Sequence, residues 1–307
     1  MPQPRPPSIV NIMRTYRSFS NLTGRGLALA FLATFTATSA WALPAIPGKY
    51  KVNGFAVGCQ AYTFNRFTLF EAIEKTAQAG GKVIEFYPGH KLSKEEPNVT
   101  WDHNASDEVI AKVKAKLTQH QMLAVNFGVV DIPNDEAAAR KLFDFAKKLG
   151  LRAITTESTG ALDTVEKLVK EYDIAVAYHN HPRQPNNPNY KVWDPNYVAE
   201  LVKGRDPRIG ACADTGHWAR SGVKAVEALR ILKGRIISSH LKDLNEFDKP
   251  AAHDVPFGTG VCDIKAVLDE LKAQKFQGNL SLEYEFNWDN SVPEVTQCID
   301  FVKQYKK

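Results

Sequence analysis

Four acidic or imidazole side chains in the second half of the chain each lie at the end of a short apolar run. They are Glu157 after AITT, Asp214 after GACA, His240 after IISS and Glu283 after LSL. Side chains at the carboxyl ends of parallel strands converge on the mouth of a barrel, even when they lie far apart in sequence. Three carboxylates and one imidazole meeting there would suit a divalent ion, so the pattern predicts a metal-dependent enzyme.

Further polar residues at the ends of these runs and of two other apolar runs are candidates for contacts to a substrate. They are Glu85, His179, His181, His217, Lys242 and Glu285. Lys242 could hold an anionic or enediolate oxygen, although a solvated loop lysine is the simpler interpretation. Asp214 could equally cap a following helix, and Gly216 would let the backbone turn abruptly behind it.

Eight apolar, β-rich runs alternate with amphipathic stretches along the chain. The predicted strands are 55–62, 82–87, 122–130, 152–158, 174–181, 208–217, 236–243 and 280–285. The stretches between them show the i, i+3, i+4 periodicity of helices that pack one face on a sheet. Eight such units predict a closed α/β fold, the (β/α)8 TIM barrel. An open doubly wound sheet is the alternative, but no glycine-rich turn follows the first strand.

The first 42 residues differ in composition from the rest of the chain. They contain four arginines but no Asp, Glu or Lys, and an apolar run ends in Ala-Trp-Ala at Ala42. This order predicts a signal peptide over residues 1–42 and an exported, periplasmic protein. A membrane anchor is the alternative, but the run is shorter than the roughly 20 apolar residues that a span needs. Residues 43–307 are then expected to form one catalytic domain without a membrane partner.

The charge balance bears on the kind of partner. The formal net charge of +5 includes the four leader arginines, so the remaining chain is near +1. No basic cluster remains that would attract nucleic acid. The four cysteines show no CxxC spacing, so zinc-finger-like ligation is not expected. Cys59 and Cys212 lie in predicted strands, where we expect small buried thiols. We therefore expect a small-molecule substrate and no nucleic acid, with a homo-oligomer left open.

With these residues in place, the chain resembles the sugar phosphate isomerase/epimerase group of the xylose isomerase-like TIM barrels. The motifs DTGH, HLKD, HDVPFGTG and LEYE arrive in the order typical of that superfamily, and the likeness covers the chain after the leader. The resemblance implies one divalent ion (Mn²⁺, Zn²⁺, Co²⁺, Fe²⁺ or Mg²⁺) held by Glu157, Asp214, His240 and Glu283. It also implies that Glu157 and Glu283 exchange the substrate proton and that His217 contacts the substrate.

Two features depart from the usual pattern of the group. His179 stands where ketohexose epimerases carry a Glu, and the predicted export separates the protein from cytoplasmic phosphorylated sugars. We therefore expect an isomerase or epimerase that acts on a non-phosphorylated carbohydrate, either a sugar, a keto-sugar or a polyol-derived ketone, through an enediolate. The alternatives are a lyase or dehydratase that uses the same site, an apurinic-site-type endonuclease, and a non-catalytic sugar-binding barrel.

Overall fold

The computed structural model describes residues 43–306. The predicted signal peptide, residues 1–42, lies outside the described residues. Within the described part of the chain, no helix is long and apolar enough to cross a membrane.

Eight parallel strands close into a barrel. They are β1 (Ala56–Gln60), β2 (Val83–Phe86), β3 (Leu123–Phe127), β4 (Ala153–Thr156), β5 (Ala175–His179), β6 (Ile209–Asp214), β7 (Ile236–Leu241) and β8 (Asn279–Leu282). Each strand pairs with the next along the chain, and β8 pairs with β1, with Asn279 opposite Ala56. This ring confirms the predicted TIM barrel.

The strands are short and almost entirely buried, because one face fills the barrel and the other packs against helices. The α-helices of the described residues are α1 (Leu69–Gln78), α2 (Asp107–Gln119), α3 (Glu136–Leu149), α4 (Leu162–Tyr172), α5 (Pro195–Leu201), α6 (Thr215–Arg220), α7 (Ala225–Ile231), α8 (Ile264–Ala273) and α9 (Val292–Gln304). Short polar residues begin several of them. Thr68 and Glu71 form a capping box before α1, and Asp135 caps α3.

Strand β6 is shorter than the sequence predicts. It ends at Asp214, and residues 215–217, predicted as strand, begin helix α6 instead. The physical reason is the Asp214 side chain, whose Oδ1 accepts a hydrogen bond from the His217 backbone N–H at 2.7 Å. An Asp at this position satisfies a helical N–H that has no partner within the helix.

Strand β8 is also shorter than predicted, so Glu283 and Glu285 lie in the loop that follows it. The Thr63 side chain binds the backbone at the point where the strand ends, on either side of Glu283. Its hydroxyl donates to the Leu282 carbonyl at 3.1 Å and accepts from the Tyr284 N–H at 3.0 Å. These bonds replace the strand ladder at the position where the two carboxylates turn towards the mouth.

Asp243 organises the long loop that follows β7. Its carboxylate accepts backbone N–H bonds from Gly258 at 2.9 Å, from Gly260 at 3.0 Å and from Cys262 at 2.9 Å. A short antiparallel pair, Asp243–Leu244 with Asp254–Val255, holds the start of the same loop. One buried carboxylate therefore folds this loop back on itself, and the short strand pair holds Asp254 opposite Leu244.

The four cysteines are buried and free, and the burial of Cys59 and Cys212 agrees with the prediction from the sequence. Burial raises the pKa of Cys59 to about 12 and that of Cys262 to about 12. Neither thiol is ionised at neutral pH, so neither has the character of a catalytic nucleophile.

Candidate active site

The barrel mouth brings several predicted site residues into one buried cluster. Asp214 and His240 are fully buried, Lys242 is 1% exposed and Glu283 is 8% exposed. Isolated charges are very costly to bury, so ionisable groups in such a place are paired or coordinate a metal. The contacts within the cluster therefore decide its chemistry.

Lys242 extends its ammonium group into the carboxylates of the cluster. Nζ lies 3.2 Å from Asp214 Oδ2, 2.8 Å from Glu283 Oε2 and 2.8 Å from Glu285 Oε2. It also lies 3.2 Å from His217 Nε2. Burial opposes the charge, but the three carboxylates raise the pKa of Lys242 well above its usual range. The interpretation of Lys242 as a solvated loop lysine is therefore wrong.

Gly216 allows this approach of the lysine. A Cβ atom at Gly216 would lie 2.7 Å from Lys242 Cβ and 2.9 Å from Lys242 Cδ. The glycine belongs to helix α6, so the abrupt turn predicted for it is wrong. A glycine is required because the lysine stem packs directly on the helix backbone.

The two carboxylate oxygens of Asp214 have different tasks. Oδ1 caps helix α6, whereas Oδ2 makes no hydrogen bond among the described residues. Oδ2 lies 3.6 Å from His179 Nε2, 3.7 Å from His217 Nε2 and 3.9 Å from His240 Nδ1. Burial would raise the pKa of Asp214, but the positive charge around it lowers that pKa well below its usual range. The capping role leaves the second oxygen to face the mouth, where the Lys242 ammonium lies 3.2 Å away.

His240 lies between two carboxylates. Its Nε2 is 3.1 Å from Glu85 Oε1, and its Nδ1 is 3.3 Å from Glu283 Oε2. Glu85 is fully buried and accepts hydroxyl hydrogen bonds from Thr155 at 2.6 Å and Ser281 at 2.9 Å. This position favours a role for Glu85 in orienting the His240 ring. The substrate contact predicted for Glu85 stays a prediction.

Glu157 faces the two histidines that follow β5. Its Oε1 accepts from His179 Nδ1 at 2.9 Å, from His181 Nδ1 at 2.6 Å and from the His181 backbone N–H at 3.1 Å. Burial would raise the pKa of Glu157, but the two imidazoles lower it to about 2. The His179 ring lies between Glu157 and Asp214, so the structure does not place Glu157 beside the other predicted ligands. Its role as a ligand stays a prediction.

Two further charged residues of the cluster, Arg220 and Asp254, were not predicted from the sequence. Arg220 Nη1 lies 2.9 Å from His217 Nδ1 and 3.1 Å from Glu285 Oε2, and Nη2 lies 3.3 Å from Asp254 Oδ2. Arg220 follows His217 by three residues, so a helix over DTGHWAR would have placed both on one face. Asp254 lies in the HDVPFGTG motif, and burial raises its pKa to about 7.

Three groups of side chains in the described residues have the spacing of metal ligands. They are His179, Asp214, His217 and Glu283; Glu85, Cys212 and His240; and Glu157, His179 and His181. Asp214 Oδ2, His179 Nε2 and both ring nitrogens of His240 are buried and make no hydrogen bond within residues 43–306. Oxygen and imidazole donors together suit Mn²⁺, Zn²⁺, Co²⁺ or Fe²⁺. The residues present therefore fit a divalent ion.

Comparison with known proteins gives the family of the chain. The sequence profile of the xylose isomerase-like TIM barrel matches residues 73–305. A search of curated proteins returned no match. Solved structures that match include proteins named as epimerases, an isomerase/epimerase and a dehydratase.

Three solved structures illustrate the likeness. A protein from Parabacteroides distasonis is 32% identical, with a TM-score of 0.66, and the match covers 82% of this chain and 100% of that one. A D-allulose 3-epimerase from Methylomonas sp. is 16% identical, with a TM-score of 0.62, over 87% of this chain and 100% of that one. The IolI protein with a bound zinc atom is 16% identical, with a TM-score of 0.61, over 82% and 99%. The last two show the fold alone.

The profile covers well over half of the chain, and the Parabacteroides protein matches over its full length. The barrel topology agrees with both findings. The chain belongs to the xylose isomerase-like TIM barrel family.

Proposed function

We propose that the protein is a divalent-metal-dependent isomerase or epimerase of a non-phosphorylated sugar, keto-sugar or polyol-derived ketone. The observation that carries the proposal is the group of buried donor atoms around Asp214 Oδ2, which makes no hydrogen bond among the described residues and lies 3.2 Å from the Lys242 ammonium at the barrel mouth. A divalent ion bound there would act as a Lewis acid towards the substrate carbonyl and favour loss of the neighbouring proton.

Glu283 is our candidate for one of the two proton carriers. Burial would raise its pKa, but Lys242 and His240 lower that pKa well below the usual range. The carboxylate is therefore ionised, which is the state that a group must have to accept a proton from a carbon next to a carbonyl group.

Glu157 and His181 are our candidates for the second proton carrier. Glu157 is bonded to His181, and the His181 side chain is 46% exposed. This pair can pass a proton between the substrate and solvent on the β4–β5 side of the mouth. Return of the proton from the opposite side to its removal would give epimerisation, and return to the adjacent carbon would give isomerisation.

Lys242, His217 and Glu285 are proposed to bind substrate oxygens. Among these three residues, Lys242 is the hydrogen-bond donor. Its ammonium group contacts Glu283 and Glu285, and it can donate a hydrogen bond to a substrate oxygen that gains negative charge. His217 and Glu285 both contact Arg220, which fixes their positions.

A lyase or dehydratase is the second candidate. The same enediolate would expel a β-oxygen if an acid protonates that oxygen as it leaves. The exposed His181, supported by Glu157, is suited to such an acid.

We also propose that the chain is exported and that its leader is cleaved after Ala42. The composition of residues 1–42 supports this proposal. Sequencing the N-terminus of the protein recovered from the periplasm would test it, with Leu43 expected first. A protein that stays in the cytoplasm with its leader would contradict it. The proposed substrate is a small carbohydrate, and neither nucleic acid nor a membrane surface is proposed as a partner.

Deuterium uptake decides the reaction class. The protein is loaded with Mn²⁺, Co²⁺, Zn²⁺ or Mg²⁺ and incubated in D₂O with a panel of keto-sugars and inosose-like ketones, and NMR follows exchange at carbon. We expect exchange next to a carbonyl group, and a new sugar isomer without loss of water. A dehydrated product would favour the lyase, and no exchange with any compound would contradict proton abstraction.

Substitutions at the barrel mouth test whether deuterium exchange occurs at the candidate active site. Glu283→Gln and Asp214→Asn are expected to abolish exchange, whereas Glu227→Gln, on the exposed face of α7 with a side chain 64% exposed, serves as the control. Unchanged exchange in both site variants would show that the chemistry occurs elsewhere.

A further inference from the structure

Two imidazole rings approach Asp214 Oδ2 in the same way. His240 directs Nε2 to Glu85 Oε1 at 3.1 Å and has Nδ1 3.9 Å from Asp214 Oδ2. His179 directs Nδ1 to Glu157 Oε1 at 2.9 Å and has Nε2 3.6 Å from Asp214 Oδ2. The ring centroids are 4.7 Å apart. Each ring therefore has one nitrogen near Glu85 or Glu157 and the other directed to the candidate metal site, where His240 Nδ1 also lies 3.3 Å from Glu283 Oε2.

This arrangement is the usual one for a histidine that binds a metal. Such a residue donates its second ring N–H to a carboxylate or carbonyl, which fixes the tautomer and the direction of the ligand nitrogen. Glu157 stands in this relation to His179, because its Oε1 accepts a hydrogen bond from His179 Nδ1. Glu85 Oε1 lies 3.1 Å from His240 Nε2, which makes no hydrogen bond among the described residues.

The hydrogen bonds made by Glu157 Oε1 and His179 Nε2 also favour His179 as the metal ligand. Glu157 Oε1 already accepts three hydrogen bonds, two of them from ring nitrogens. His179 Nε2, by contrast, is buried without a hydrogen-bond partner in the described part of the chain and lies 3.6 Å from Asp214 Oδ2. A buried polar atom without a partner carries a desolvation cost, and a metal ion beside Asp214 would remove it.

We infer that His179 Nε2 is a metal ligand in place of Glu157, together with Asp214, His240 and Glu283. Glu157 is then a positioning residue that orients the His179 ring, and the site contains two imidazole ligands. The inference rests on the proposed metal-dependent function. It explains why a histidine stands on β5 and why the strand-four carboxylate turns away from Asp214.

Counting imidazole ligands in the wild-type protein tests the inference without any substitution. Protein labelled with ¹⁵N-histidine is loaded with Mn²⁺, and pulsed EPR measures the number of nitrogen nuclei coupled to the ion. Two coupled imidazoles are expected. One coupled imidazole would overturn the assignment of His179 and leave the metal-dependent function standing.

Calorimetric titration with Mn²⁺ gives the second measurement. His179→Gln is expected to lose more than 100-fold in affinity and one coupled imidazole. Glu157→Gln is expected to lose about 10- to 100-fold in affinity, as typical for a residue that supports a ligand, while two imidazoles stay coupled. The neighbouring control, His181→Gln, is expected to bind Mn²⁺ like the wild type.

Three outcomes separate the possible failures. If the wild-type protein binds no Mn²⁺, Co²⁺ or Zn²⁺, both the metal-dependent function and the ligand assignment are overturned. If Glu157→Gln loses binding and His179→Gln retains it, only the ligand assignment is overturned. Circular dichroism and melting curves identify a variant that does not fold, and the count in the wild type then decides.

Discussion

Lys242 Nζ lies 2.8 Å from Glu283 Oε2, and the lysine side chain is fully buried. The same ammonium group also contacts Asp214 and Glu285. Lys242 therefore neutralises carboxylates that a bound divalent ion would also neutralise. The stability of the mouth without metal should depend on this lysine.

Lys242→Met is expected to lower the stability of the metal-free protein. Removing one partner of a buried ion pair typically costs about 3–5 kcal/mol, because the remaining charges are buried without compensation. Adding Mn²⁺ or Zn²⁺ should raise the melting temperature of this variant more than that of the wild type. Thermal unfolding with and without metal measures both effects.

Lys265→Met is the matched control for this experiment. Lys265 pairs with Asp269 on the exposed surface of α8, with 59% of the lysine side chain exposed. Exposed ion pairs are worth about 0–1 kcal/mol. A Lys242→Met protein as stable as the Lys265→Met protein would show that the buried ammonium contributes nothing to the fold.

Gly216→Ala is expected to destabilise the protein, although alanine normally favours a helix by about 1 kcal/mol over glycine. The new methyl group would lie 2.7 Å from Lys242 Cβ, and overpacking of this kind costs about 1–3 kcal/mol. Urea unfolding measures the change. Gly160→Ala is the control, because no atom lies within 4 Å of a Cβ there. A stabilised Gly216→Ala protein would contradict the explanation given for this glycine.

Asp243→Ala is expected to loosen the loop after β7. The carboxylate accepts N–H bonds from Gly258, Gly260 and Cys262, and bonds to a charged group contribute about 1.5–3 kcal/mol each. Hydrogen exchange of residues 245–262 should therefore become at least tenfold faster. Asp289→Asn, with a side chain 78% exposed, should leave that exchange unchanged. Equal protection of the loop in both variants would refute this role of Asp243.

The sequence predicts the barrel and the meeting of Asp214, His240 and Glu283 well, because both depend on local patterns. A strand that ends in a polar residue places that residue at the mouth once the ring closes. These three residues lie in mutual contact range in the structure. Hydrophobic periodicity therefore carries most of the information about the fold.

The sequence could not predict the burial of Lys242 or the direction of Glu157. Lys242 is buried because Gly216, which is 26 residues earlier, has no side chain to exclude it. Glu157 turns to His179 and His181 because β4 and β5 are neighbours in the barrel. The burial of Lys242 and the direction of Glu157 both depend on contacts with residues distant in sequence. The residues next to Lys242 and Glu157 in the sequence do not indicate these contacts.

Asp254→Asn is expected to change how stability depends on pH. Burial raises the pKa of Asp254 to about 7 in the folded protein, whereas the pKa of an Asp in an unfolded chain is about 3.9. Between these values the unfolded chain has released the proton and the folded protein still binds it. The free energy of unfolding of the wild type therefore falls as the pH rises through this range.

An asparagine cannot lose this proton, so the stability of Asp254→Asn relative to the wild type should increase from pH 4 to pH 7 and level off above about pH 8. One pKa unit corresponds to about 1.4 kcal/mol, so the increase should exceed about 1 kcal/mol. Urea unfolding at pH 4.5, 6 and 7.5 measures it, with Asp289→Asn as the control. A difference that is constant with pH would show that Asp254 is ionised throughout, held by Arg220 at 3.3 Å.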